Sequence, residues 1–165
     1  MVGPTYQGSM DNVTALQKGG DFSAKVTEFK SEQQKGNENP ISLRGNTMRS
    51  PYNDSFAAYL TEAVKQELVL ANKYSEDSKV DISGELLQNT VDAAISRGTA
   101  KIEARFVVTN AGEVKYDQTK FAVHDWPSSF VGAVAIPRAI EEYQTVVSKL
   151  LNSLFSDQAF LNALK

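Results

Sequence analysis

The feature that most constrains the fold is a change in hydrophobic period after residue 78. KVDISGELLQ (79–88) and TAKIEARFVVTN (99–110) alternate apolar with polar residues, and NAG (110–112) separates them from the strand-like run EVKYDQTKFAVHDW (113–126). Successive side chains of a strand point to opposite faces, so each run predicts a strand with one apolar face. In the second run the inward positions are Ile102, Ala104, Phe106 and Val108. The three runs predict an antiparallel meander with one solvent-facing side.

Segments of helical period flank the meander. RSPYNDSFAAYLTEAVKQELVLANK (49–73) and PRAIEEYQTVVSKLLNSLF (137–155) repeat apolar residues every three or four positions. The expected helix starts are Pro51, Asn53 or Asp54 for the first segment and Pro137 for the second. The first stripe consists of Phe56, Tyr59, Leu60, Ala63, Val64 and Leu68. Both segments predict long amphipathic helices that cover the apolar side of the sheet.

Shorter elements complete the predicted order. Ser9 is expected to cap a helix that ends at Gly19, and Ser156 to cap a terminal helix. FSAKVTEFK (22–30) is strand-like, whereas SEQQKGNENP (31–40) is rich in turn-forming residues and predicts a loop.

The whole pattern predicts an α+β two-layer sandwich, with a small, mostly antiparallel sheet and two main helices packed on one face. We expect a single domain over 22–165, preceded by an N-terminal tether and short helix over 1–21.

Composition excludes several kinds of site. The chain has no cysteine and one histidine, so thiolate chemistry is excluded and no metal site or cofactor is expected. The net charge is -3 and no basic stripe is visible, so we expect no nucleic-acid partner. No stretch approaches the about 20 apolar residues that span a membrane.

The single histidine and tryptophan lie in VHDWPSSFVGAVAIP (123–137). His124 and Asp125, followed by Ser128 and Ser129, suggest a hydrolase. Adjacent strand residues point to opposite faces, however, so Asp125 cannot orient His124. The G-x-S-x-G motif is also absent. The glutamates, Glu67 among them, are assigned to solvent-facing positions, so no acid–base pair is expected. We therefore predict no catalytic residue and a protein that is not an enzyme.

The apolar run PSSFVGAVAIP allows two interpretations. In the commoner arrangement Phe130, Val131, Val134 and Ile136 cover one end of the core, because connecting segments often bury a few anchors. Alternatively, the segment 126–137 is exposed and contacts a partner, a lipid, or another copy of the chain in a homo-oligomer.

A different class of function remains open. Arg44 and Asn46, together with His124 and Asp125, are polar residues that would line a pocket beside the 126–137 segment in a small-ligand binding protein or enzyme. The candidate binding residues are therefore Arg44, Asn46, His124, Trp126, Phe130, Val131 and Val134.

Longer stretches carry a resemblance to a known group of proteins. ISLRGNTMRSPYNDSFAAYLTEAVKQEL (41–68), DISGELLQN (81–89) and WPSSFVGAVAIPRAIEEY (126–143) resemble a family of small envelope lipoproteins of Gram-negative bacteria, from about Lys25 to the C-terminus. The layout is also similar to the N-terminal domain of the TolB translocation protein and to lipopolysaccharide-assembly lipoproteins.

The resemblance implies a periplasmic, non-catalytic binding or assembly component of the cell envelope. It also implies anchorage to the outer membrane through a lipidated cysteine and a signal peptide, neither of which this sequence contains. The implied partner is an envelope protein or a lipid-bearing molecule. Strand addition at an open sheet edge, at 79–88 or 22–30, is one expected mode of docking.

Overall fold

The fold combines helices with a mixed sheet, which makes the protein α+β. The computed structural model describes residues 1–31 and 40–165. In chain order its elements are α1 (Met10–Lys18), β1 (Lys25–Val26), β2 (Lys30–Ser31), β3 (Ile41–Leu43), β4 (Asn46–Met48), α2 (Phe56–Leu70), β5 (Val80–Ala93), β6 (Arg97–Asn110), β7 (Glu113–Pro127), α3 (Gly132–Phe155) and α4 (Gln158–Ala163). The loop predicted over 31–40 lies, apart from its first and last residues, outside the described residues.

The predicted meander is confirmed. β5 pairs antiparallel with β6, and β6 pairs antiparallel with β7. Ala111 and Gly112 connect β6 to β7, with φ angles of 50° and 84°. Two consecutive left-handed residues produce the turn twist that suits a two-residue hairpin, which explains the NAG signal in the sequence.

The edges of the sheet differ from the prediction. β1 and β2 both pair with β5 in parallel, so β5 is an interior strand along that part and not an open edge. The strand predicted over 22–30 is reduced to these two short pieces. Between them Phe29 crosses β5 at Gly84, where an added Cβ would lie 2.7 Å from the Phe29 ring. In the described part of the chain, β7 pairs only with β6 and forms the long open edge.

One face of the sheet is buried as the alternation predicted. The inward residues of β6 are fully buried; they are Ile102, Ala104, Phe106 and Val108. α3 packs across β5, β6 and β7, and α2 packs on β1, β2 and β5. α1 lies against α2 and α3, which places it outside the sheet–helix interface. The two-layer sandwich with its main helices on one face is therefore confirmed.

The start of α2 corrects the sequence expectation. Ser55 is the N-cap, and its hydroxyl accepts a hydrogen bond of 3.1 Å from the Ala58 amide. Asn53 and Asp54, which were expected as caps, instead adopt left-handed φ angles of 53° and 54° in the preceding turn. Pro51 lies in the same turn. Asn and Asp tolerate this conformation better than most residues, which suits them to a turn as well as to a cap.

The C-terminal helices also begin at other residues than predicted. α3 begins at Gly132, so Pro137 lies inside the helix instead of at its first position. At this sixth helical position proline cannot donate the intrahelical hydrogen bond to the Ala133 carbonyl, so its place inside the helix carries an energetic cost. α4 is capped by Asp157, whereas Ser156 ends α3.

The N-terminal segment assigned to a tether packs against the rest of the chain. The Gly3 amide donates to the Arg49 carbonyl, and the Arg49 amide donates to the Met1 carbonyl, both at 2.8 Å. Tyr6 is buried in the same core as the sheet and helices. Further along, α1 begins after its predicted cap Ser9 and ends at Gly19.

We predict that Phe106→Ala lowers the free energy of unfolding by about 3 to 5 kcal/mol, as large core truncations do. Phe106 is fully buried and packs edge-to-face on Phe29 with ring centroids 5.6 Å apart. Urea denaturation measures the loss. Phe130→Ala is the matched control, because Phe130 is 78% exposed and its truncation should change stability by less than about 0.5 kcal/mol. Equal losses in the two variants would contradict this account of the core.

Candidate docking surface

Exposed apolar side chains gather at one end of the molecule. We call this group the apolar tip; it comprises Ile95 (70% exposed), Phe130 (78%), Val131 (42%) and Val134 (59%). Ile95 lies in the β5–β6 turn, and the other members lie where β7 connects to α3. The Ser128 amide donates to the Ser96 carbonyl at 3.2 Å, which brings the two segments together. The expectation that this connection covers the core is therefore wrong for Phe130, Val131 and Val134.

Arg44 holds the backbone beneath the apolar tip. It occupies the two-residue turn between β3 and β4, with a φ of 47°. Its guanidinium donates to the carbonyl oxygens of Ala93, Ser129 (2.7 Å) and Phe130 (3.3 Å). A left-handed arginine costs about 1 to 2 kcal/mol of backbone energy, and these hydrogen bonds offset it. These hydrogen bonds from Arg44 fix the backbone between β7 and α3, while the side chains of that connection stay exposed.

The first turn of α3 lacks a side-chain cap that would stabilise it. Its N-cap is Val131, which has no side-chain oxygen and makes no side-chain capping bond. A valine cap leaves first-turn amides without the partner that Ser, Thr, Asn or Asp provides, at a cost of about 1 kcal/mol. Val134 adds an exposed apolar side chain to the same turn. Residues that lower local stability without burying apolar surface are typical of functional sites such as contact surfaces.

Trp126 lies behind the apolar tip instead of on it. The indole is 3% exposed and packs directly on the backbone of Gly98. A Cβ added at Gly98 would lie only 2.1 Å from the indole ring, so no other residue fits there. Of the predicted binding residues, Trp126 is thus placed in the core, where it supports the end of β7.

His124 and Asp125 point to opposite faces of β7, as strand alternation requires. His124 Nε2 lies 2.5 Å from a Glu142 carboxylate oxygen, and His124 Nδ1 lies 2.8 Å from Lys149 Nζ. Because the ammonium can only donate, Nδ1 is the acceptor and Nε2 carries the proton. The same Glu142 also pairs with Arg138. These contacts fasten α3 to the edge strand.

Asp125 faces the uncovered side of the sheet. Its carboxylate accepts hydrogen bonds from Arg97 (2.5 Å) and from the Thr99 hydroxyl (2.8 Å). The Arg97 hydrogen bond, assisted by that of Thr99, lowers the pKa of Asp125 below its usual range. An acid held ionised in this way serves cross-strand pairing and is poorly suited to donate a proton.

The polar residues proposed for a pocket do not converge. His124 and Asp125 lie on opposite faces, Arg44 is engaged with backbone carbonyls, and Asn46 is exposed on β4. A cleft of about 410 Å³ lies elsewhere, between β1, α2 and the 51–53 turn, and none of the four residues lines it. The geometry therefore favours a docking surface over a pocket beside the 126–137 segment.

Glu67 is an ionisable residue whose position the sequence analysis predicted wrongly. It was assigned to solvent, yet it is fully buried on α2. The signal was present, because Glu67 follows Leu60 by seven residues and Ala63 by four, within the apolar stripe. Its carboxylate accepts a 2.7 Å hydrogen bond from the Ser9 amide. Desolvation by burial nevertheless raises the pKa of Glu67 above its ordinary value.

Glu67 belongs to a buried polar cluster that joins three helices. Asn12 on α1 donates to the Ser148 carbonyl on α3 at 3.1 Å, and Asn152 donates to the Asn12 amide oxygen at 3.0 Å. The Ser9 amide links the start of α1 to Glu67 on α2. These hydrogen bonds fix the position of α1 relative to α2 and α3. Partnered polar groups in a core favour a unique arrangement, because a shifted helix would leave them unsatisfied.

We predict that Glu67→Gln changes how stability depends on pH. The folded state holds the Glu67 proton to higher pH than the unfolded chain, whose pKa is about 4.3. Stability of the wild type therefore falls as pH rises from that value to the raised folded pKa. The advantage of Glu67→Gln should grow through this window and then level off, as followed by urea denaturation at stepped pH. Glu62→Gln is the control for charge removal on the same helix, and a pH-independent advantage would contradict the prediction.

Comparisons with known proteins show the fold of the chain. No family model and no curated protein matches it. It is similar to the crystal structure of protein XCC0632 from Xanthomonas campestris, described under the family model DUF330, with 14% identity, a TM-score of 0.61 and coverage of 82% of each chain. It is also similar to the hypothetical protein CT253 from Chlamydia trachomatis, with 10% identity, a TM-score of 0.45 and coverage of 80% of this chain and 98% of that one. At such identities the likeness to XCC0632 concerns the α+β fold alone.

Proposed function

We propose that this chain is a non-catalytic binding or assembly component of the cell envelope, and that it docks through the apolar tip. The observation that carries the proposal is the exposure of Ile95, Phe130, Val131 and Val134 at one end of the fold. Contiguous exposed apolar side chains are typical of protein or lipid contact sites. The resemblance of the sequence to Gram-negative envelope lipoproteins supports a periplasmic location and outer-membrane anchorage of the full-length protein.

The build of the apolar tip suits a preformed contact surface. Arg44 fixes the carbonyls of Ser129 and Phe130, so little backbone order has to be gained when a partner binds. Phe130 supplies a large rigid ring, and aromatic side chains dominate the energy of many interfaces. The expected partner is an envelope protein or a lipid-bearing molecule with a complementary apolar recess.

We predict that Val134→Asp abolishes partner contact in cells. A photoreactive amino acid at position 130 should crosslink the wild-type protein to one discrete envelope component. A carboxylate at position 134 should lower the yield of that crosslinked product at least tenfold. Val69→Asp is the matched control, since Val69 is 54% exposed on α2, close to the 59% of Val134 on α3. Equal crosslinking in the two variants would exclude the apolar tip as the docking surface.

The cellular location needs a separate experiment, because the docking hypothesis and the anchorage hypothesis can each be wrong while the other holds. In the described part of the chain, no helix has both the length and the apolar character needed to cross a membrane. The native gene product should fractionate with the outer membrane and incorporate radiolabelled palmitate. Recovery in the cytoplasm without label would overturn the envelope assignment and leave the crosslinking result to be interpreted by itself.

A further inference from the structure

The outer edge of β7 offers backbone hydrogen bonds that nothing in the described chain takes up. β7 runs from Glu113 to Pro127 and pairs only with β6. Among the described residues, no backbone hydrogen bond joins 113–127 to any other segment outside that pairing. An edge of this length is a template for another strand, and an extended backbone is the one chemistry that satisfies its alternating donors and acceptors.

The side chains in the middle of this edge, from Lys120 to Val123, do not protect it. Lysines often shield open edges, but Lys120 is drawn back to Asp157 by a 2.8 Å ion pair. Phe121 and Val123 are 51% and 39% exposed on the side of the sheet that faces away from the helices. They stand next to the unpaired backbone edge. The edge therefore combines free hydrogen-bonding groups with an apolar side-chain pair.

We propose that β7 pairs antiparallel with β7 of a second copy, about a two-fold axis at Ala122. Residues directly opposite each other in an antiparallel pair point to the same face of the sheet. With the axis at Ala122, Phe121 of each copy lies opposite Val123 of the other. Thr119 of each copy lies opposite Asp125, so its hydroxyl faces a carboxylate. Aromatic with β-branched residues is a favourable cross-strand combination.

Neighbouring registers that keep both helix layers on one side are worse. An axis at Phe121 sets Asp117 against Asp125 of the second copy, and like charges directly opposite are destabilising. An axis at Val123 sets Phe121 against Asp125, whereas an axis at Lys120 sets Asp117 against Val123. Of these registers, the one centred on Ala122 alone gives both exposed apolar residues an apolar partner.

The charges of the helix layer do not oppose this arrangement. α3 borders β7 through the contacts of Glu142 and Lys149 with His124, and Arg138 pairs with the same glutamate. Both signs of charge therefore occur next to the edge, so two α3 helices brought near the axis do not present walls of like charge. The interface involves residues other than the apolar tip, which stays free for the proposed docking.

Sedimentation velocity over a concentration series tests the dimer. The wild-type protein should shift from monomer to dimer mass below about 1 mM, whereas Val123→Lys should remain monomeric and folded by circular dichroism. Val114→Lys is the matched control, because Val114 is 58% exposed on the same strand but lies outside the paired residues 117–127. A wild type that stays monomeric, or equal loss of dimer in both variants, would overturn the proposal.

Crosslinking tests the register, and the absence of native cysteines makes it simple. A mixture of Thr119→Cys and Asp125→Cys should form heterodimers with a short bismaleimide, because these positions lie opposite each other. Thr119→Cys alone should not crosslink, since its two copies would be six residues apart along the strands, about 20 Å. Crosslinking of Thr119→Cys alone as efficient as that of the mixture would exclude the axis at Ala122.

Discussion

The structure depends on the burial of one face of a long antiparallel meander. The inward row of β6 is fully buried under α3, and α2 and α3 together cover the facing residues of β5. Strands of this length cannot stay in water with an apolar face exposed, so the two long helices are obligatory partners of the sheet and not additions to it. The other elements take their positions from this interface.

The two exposed surfaces follow from how that cover is placed. α3 begins beyond the end of β7, so its first turn and the preceding connection extend past the sheet and leave Phe130 and Val134 uncovered. Among the described residues β7, the last strand of the meander, pairs with β6 alone, and the short parallel strands pair on the opposite side with β5. The apolar tip and the β7 edge are thus consequences of a small sheet covered on one face only.

Much of the fold could be predicted from the sequence because its signals are local. Alternation in 99–110 placed Phe106 in the core, and the helical stripe around Leu60 and Val64 placed α2 on the sheet. Errors occurred where two local signals competed. Asn53 and Asp54 suit a helix cap and a left-handed turn equally well, and at α3 the preference of Pro137 for the first helical position competed with the apolar run before it, which is helical from Gly132.

The sequence by itself determined the fold class, the meander and the faces of the long helices, because periodicity is a property of neighbouring residues. Only the tertiary structure decided which apolar residues stay exposed, where Glu67 goes and which strand forms the open edge. Trp126 and Phe130 are both large aromatic residues four positions apart, yet one is buried on Gly98 and the other is exposed. Whether a residue is buried depends on which distant segment of the chain packs against it, and the local sequence pattern does not specify that contact.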